Sequence, residues 1–169
     1  MLVMADAASF DITSPVDFAE VDNALNQARK EIGQRYDFKG ATADITLNAT
    51  EKTLTLLTDD EMKMNAVWEI VLAKLVKRGV PVKNFKKGDS EPAAGAKIRR
   101  LVTIQQGIPI EAAREIVKFI KDKKFKKVQA SIQGEQVRVT SPSKDELQTA
   151  MQHLRAHDFG ISLSFGNYR

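Results

Sequence analysis

"QASIQGEQVRVTS", residues 129–141, reads as a tight two-stranded hairpin, and its register decides how the chain folds. Gly134-Glu135 suits a two-residue turn whose first central position needs a positive φ, which glycine adopts without a steric cost. Such a loop pairs Gln133 with Gln136, Ile132 with Val137, Ser131 with Arg138 and Ala130 with Val139. One face then carries Val128, Ala130, Ile132, Val137 and Val139, which suits a core. The other carries Gln129, Ser131, Gln133, Gln136, Arg138 and Thr140. That second face is either solvated surface or a platform for a ligand.

Around the hairpin, the second half of the chain continues in a regular order. "IRRLVTIQQ" alternates as a strand, and Pro109 opens a helix over "PIEAAREIVKFIKDKK". Ser143 and Glu146 have capping-box spacing at the start of "SKDELQTAMQHLRAH", and "ISLSF" closes the unit. The first half repeats that order. "SFDITS" (9–14) is a strand, Ser14 is placed to cap a helix with Pro15 at its first position, and Phe18, Val21, Leu25, Ala28 and Ile32 follow at helical spacing. "ATADITLN" and "KTLTLLT" alternate as strands, Thr58 and Glu61 form a second T-x-x-E box, Gly79 ends the helix, and "VPVKNF" offers a short last strand. Each half reads strand–helix–strand–strand–helix–strand. The fold class is therefore α+β, with two tandem βαββαβ units, each an antiparallel sheet covered by two helices on one face. The polar stretch "KKGDSEPAAGA" reads as the break, giving domains at 1–86 and 97–169 with a linker over 87–96.

The absence of cysteine among 169 residues excludes disulfides, thiol chemistry and thiolate metal sites. "MLVMADAASF" has neither a basic region nor an apolar run adequate for a signal peptide or membrane anchor, so a cytoplasmic protein without membrane association is expected. Net charge is +4, distributed as 11 Lys and Arg against 13 Asp and Glu over residues 1–86, and 15 against 9 over residues 87–169. A basic second half points toward an anionic partner, although a solvated basic surface gives the same count.

Several separated segments resemble one bacterial family. "SFDI", "RYDFKG" (35–40), "QQGI" (105–108), "IQGEQVRVTS" with "DELQ" (145–148) and the terminal "GNYR" together are similar to the YajQ-like proteins over nearly the whole chain. The resemblance implies two ferredoxin-like domains whose first strands are exchanged. It also implies nucleotide or nucleic-acid binding, described for some members as cyclic-dinucleotide reception, with no firm catalytic activity. Carried over by residue, it singles out Arg35, Asp37, Phe38, Lys39, Gly40, Gln106, Gly107, Gln133, Gly134, Gln136 and Arg138. Two departures reduce local positive charge: Gln105 stands where the pattern leads one to expect lysine, and "TSPSKDELQ" is less basic than its counterparts.

RNA-binding sheets of this topology stack bases on exposed aromatics. The outward positions of "EQVRVTS" and "LVTIQQ" hold none, which argues against sequence-specific reading of single strands by that route. What remains is hydrogen bonding. Arg138 would meet a phosphate or base, Gln133 and Gln136 would orient it beside Gly134, and Arg35, Phe38 and Lys39 would supply a second contact; the resemblance adds Gln106. The lysines of "KFIKDKKFKKVQ" complement a helix C-terminus or add unspecific phosphate affinity.

No Walker A loop, dinucleotide fingerprint, nucleophile elbow or cysteine nucleophile is present, so an enzyme is not expected and no cofactor is implied. His153 and His157 lie one helical turn apart without further ligands, which fits a helix end better than a metal site. The expected function is non-enzymatic binding of a nucleotide (ATP, GTP or a cyclic dinucleotide) or of RNA. The alternative is a regulatory sensing or scaffold module that contacts a protein partner.

Overall fold

The computed structural model describes residues 7–169, so the first six residues of the stretch read for a leader lie outside it. In chain order the elements are β1 (Ala8–Thr13), α1 (Phe18–Gln34), β2 (Ala43–Asn48), β3 (Thr53–Thr58), α2 (Glu61–Lys77), β4 (Phe85–Ala93), β5 (Lys97–Ile104), α3 (Ile110–Lys123), β6 (Gln129–Gln133), β7 (Gln136–Ser141), α4 (Lys144–Ala156) and β8 (Ser164–Gly166). They form two four-stranded antiparallel sheets, ordered β6-β7-β1-β8 and β2-β3-β5-β4. Each sheet has the ferredoxin-like order, and in each the first strand comes from the other half of the chain. β1 lies between β7 and β8, while β5 lies between β3 and β4.

The compact units follow that exchange rather than the midpoint of the sequence. One consists of the chain up to Pro15 together with Gln106–Arg169, and the other is Val16–Gln105. The first unit buries Phe10, Ile12, Ile116, Val137, Val139 and Leu154 between its sheet and α3 and α4. The second buries Val21, Leu25, Leu54, Leu56, Met64 and Leu75 between its sheet and α1 and α2. Alternation along the central strands explains both cores, because every second side chain faces the helices; on the edge strand β6, Ile132, expected to face a core, is exposed.

The β6–β7 hairpin has the register expected from its sequence, with Gly134 at a φ of +63°. Other local readings shift. Residues 87–96, expected as a linker, hold most of β4 and its turn into β5. This is an edge strand, where charges and Pro92 are tolerated because one side of the ladder is unpaired. A 3₁₀ turn over Val82–Asn84 replaces the start of the strand placed at "VPVKNF". Asp17, not Ser14, caps α1, accepting the N–H groups of Ala19 and Glu20. Ser14 is buried and donates instead to the Ser162 carbonyl at 2.6 Å. Asp60, not Thr58, caps α2 by accepting from Lys63 N at 2.8 Å, and the Thr58 hydroxyl donates to the Asp60 carbonyl. Ser143 caps α4 as expected, accepting from Glu146 N.

The exchange also removes the charge asymmetry. The first unit carries 11 basic against 9 acidic residues and the second 15 against 13, so each has a net +2. Bulk charge therefore does not distinguish one unit from the other as the place where an anion binds.

Candidate functional site

The polar face of the first sheet is built by outward positions of β6, β7 and β1. Phe10, Ile12, Val137 and Val139 point into the core, so Ser9, Asp11, Thr13, Gln136, Arg138 and Thr140 point away from it. Asp11 is directly opposite Arg138 in the ladder. The guanidinium donates to its carboxylate at 2.9 Å from Nε and 3.4 Å from Nη2, and the Asn167 amide donates to the same carboxylate at 2.6 Å. Asp11 is only 5% exposed. Its pKa is lowered, first by the hydrogen bond from Arg138, against the opposing effect of burial, and further by Asn167. The same pairing raises Arg138. The cation expected to receive a phosphate is thus already neutralised by a neighbour. No ring occupies these outward positions.

At the end of this sheet, Gln106 and Gln136 line one pocket of about 280 Å³ with Thr13, Gly107 and Glu135. Gly107 is required there. Its φ is +84°, and a Cβ would come within 2.7 Å of the Glu135 carboxylate. Gly107 N donates to the Ser14 carbonyl and Ile108 N to that of Glu135, which ties β1, the hairpin tip and the start of α3 together. Gln133 donates to Ser131 Oγ at 3.2 Å within its own strand, β6. Gln106 and Gln136 meet in this pocket, Gln133 and Arg138 do not line it, and the pocket lining includes no cation.

The second unit holds the "RYDFKG" segment. A 3₁₀ turn over Tyr36–Phe38 follows α1, and Phe38 is buried. Arg35 donates twice to Asp37, at 3.0 and 2.8 Å, and lies over the Phe38 ring at 5.4 Å. That bidentate bond raises Arg35 and lowers Asp37. Arg35, like Arg138, is already satisfied by a carboxylate. Lys39 is different: its ammonium has no carboxylate partner among the described residues. It lines a cleft of about 540 Å³ with Arg29, Phe38, Gly40, Thr42 and Asp44. Arg29 is held in the wall by bonds to the Ile45 carbonyl (2.6 Å) and Asn26 (2.8 Å). Gly40, at φ +75°, turns the chain from the 3₁₀ turn toward β2.

The remaining candidates find ordinary roles. His153 packs on Phe125, and His157 packs on both Phe119 and Phe159, which also touch each other. Among the lysines of α3, Lys121 and Lys123 lie in the last helical turn, where they meet the negative end of the helix dipole. No helix among the described residues is long and apolar enough to cross a membrane.

Residues 8–169 match the family described as nucleotide-binding protein YajQ-like. The chain belongs to that family. It is 47% identical over 161 residues to a protein of Trichlorobacter lovleyi, covering 95% of this chain and 98% of the relative. It is 44% identical over 166 residues to one of Chloroherpeton thalassium, covering 98% and 100%. A Koribacter versatilis protein is 50% identical over 166 residues, with 98% and 99% covered. Each of these YajQ-like relatives bears the name nucleotide-binding protein. The glycine-bounded "RYDFKG" turn and the "QGEQ" hairpin tip lie within the matched span.

Proposed function

We propose that this chain binds a nucleotide without turning it over, acting in the cytoplasm, and that the cleft of the second unit receives it. The observation that carries this reading is the unpaired Lys39 ammonium on a cleft of about 540 Å³, within the size range of small-molecule sites. Lys39 would meet a phosphate, with Arg29 adding positive charge from the wall. Phe38 and Ile32 add apolar lining, and the Asp44 carboxylate in the same cleft suits a ribose hydroxyl or a base amino group. The shared name of the relatives supports nucleotide as the ligand class.

Titration of wild type and Lys39→Ala with ATP, GTP, a cyclic dinucleotide and a short single-stranded RNA, at two salt concentrations, tests it. Loss of one charge-assisted contact should weaken nucleotide binding by about tenfold or more, and added salt should weaken it further. Unchanged affinity in a folded Lys39→Ala protein would remove this cleft from consideration. No binding of any ligand by wild type would favour the sensing or scaffold alternative, with a protein partner.

A further inference from the structure

A second cavity, of about 340 Å³, lies in the first unit where the start of β1, the first turns of α4 and the last residues meet. Its geometry follows from an irregularity in the strand pairing. β8 pairs Asp11 with Gly166, and the next bonded pair joins Ser9 to Arg169 through both backbone groups, at 3.2 and 3.0 Å. Between these pairs Phe10 alone on β1 opposes Asn167 and Tyr168 on the tail, so one residue is extra. Asn167 absorbs it with a φ of +53°, and its amide is anchored on Asp11. Such a bulge re-aims the side chain beside it. Here that side chain is Tyr168.

The Tyr168 ring is 58% exposed. One edge is fixed: its hydroxyl donates to the Phe165 carbonyl at 3.4 Å and lies 3.9 Å from the Met151 sulfur, and the ring centroid is 6.5 Å from that of Phe10. Leu147 and Ala8 contribute apolar surface to the cavity, while Lys144, Gln148 and Arg169 supply two cations and an amide. Lys144 and Gln148 have no side-chain partner among the described residues. Of the carboxylates in the first turn of α4, Glu146 is turned away to accept Lys126 N at 2.8 Å, and Asp145 is exposed.

We propose that this cavity is a second nucleotide site, which stacks a nucleobase on Tyr168 and holds the adjoining phosphate with Lys144 and Arg169. An anchored, exposed aromatic ring beside cations and an amide is the combination that single-strand and nucleotide sites use. Gln148 can present a donor and an acceptor to the base edge. The base and phosphate could belong to a free nucleotide or to one residue of an RNA strand.

The test is an amide-resolved NMR titration of the full chain with AMP, GMP, adenosine and a short oligoadenylate. AMP or GMP should shift the resonances of residues 144–148 and 168–169, and adenosine should bind more weakly because it lacks the phosphate. Tyr168→Ala should weaken this event by about fivefold or more, the loss expected on removing a stacking ring, whereas Tyr168→Phe should retain most of it. Gln148→Ala, at an exposed helix position, gives a second variant expected to leave the fold intact. A folded Tyr168→Ala protein that binds like wild type, or shifts confined to residues 29–44, would overturn the proposal and leave the Lys39 cleft standing. Shifts at Tyr168 that survive in Lys39→Ala, with none at residues 29–44, would support this site and sink the cleft. Tighter binding of oligoadenylate than of AMP, with steep salt dependence, would identify the source as RNA.

Discussion

The two units share one strand order and pairing pattern, yet their sheets are decorated in opposite ways. Matching positions can be read from the ladders, since Phe10, Asp11 and Ile12 pair with Val139, Arg138 and Val137, just as Arg100, Leu101 and Val102 pair with Leu56, Thr55 and Leu54. On the open face of the first sheet the central pair is the Asp11–Arg138 ion pair. Its counterpart in the second is Leu101 opposite Thr55, with Leu101 49% exposed. On the helix side the contrast is reversed. Phe10 is wholly buried in the first unit, and the matching position in the second holds Arg100, 8% exposed. Arg100 Nη2 is 3.8 Å from Glu61, while its Nε and Nη1 make no hydrogen bond among the described residues. Both fourth strands also carry an extra residue, at Gly88–Asp89 opposite Leu101 and at Asn167 beside Tyr168. The backbone ladder fixes topology while leaving the side chains free, so resemblance between folds cannot locate a site.

The sharpest way to break this comparison is to exchange the burial roles of the matched pair. Phe10→Ala should lower unfolding free energy by about 3–5 kcal/mol, because it leaves a cavity in a fully packed core. Arg100→Leu should be neutral or stabilising by about 1–2 kcal/mol, since it removes a poorly paired buried charge in favour of apolar contact. Urea unfolding followed by far-ultraviolet circular dichroism measures both. Equal destabilisation by the two variants would show that Arg100 is as structural as Phe10.

A smaller effect is expected at the ion pair. Asp11→Asn should cost about 1 kcal/mol near neutral pH, an amount discounted because Arg138 is partly exposed and screened. The folded-state pKa of Asp11 is depressed, so its ionised form contributes stability above the unfolded value of about 3.9. That contribution is lost as pH falls through the depressed value. The gap between wild type and variant should therefore be widest near neutrality and close in acid. A gap that persists at low pH would mean that the carboxylate's charge is not what matters. The smallest effect belongs to the open face of the second sheet, where Leu101→Thr should change stability by less than about 0.5 kcal/mol. A larger loss would show that Leu101 is covered by something in solution.

The features legible in the sequence were the local ones. The 129–141 hairpin was readable because a two-residue glycine turn sets register by itself. The helices followed from apolar spacing, although two caps were misplaced, because Ser14 and Asp17, or Thr58 and Asp60, are both chemically competent. β4 was hidden because an edge strand tolerates the charges and proline that mark a linker. At the candidate sites, "RYDFKG" was recognisable as a unit, but not that Asp37 occupies Arg35 while Lys39 is left unpaired. Nothing local in "GNYR", or beside "DELQ" at Lys144, marks Tyr168 and Lys144 as neighbours. Their meeting depends on a bulge that only long-range pairing creates.

By itself, then, the sequence determined two βαββαβ repeats, the inward face of the central strands and the hairpin register, all set by spacing of less than about twenty residues. Tertiary structure decided which β1 or β5 joins which sheet, because alternation specifies a strand's faces but not its partner. That choice pairs Arg138 with Asp11, 127 positions away, and gives both units the same net charge. It thereby determines which cations remain available to a ligand.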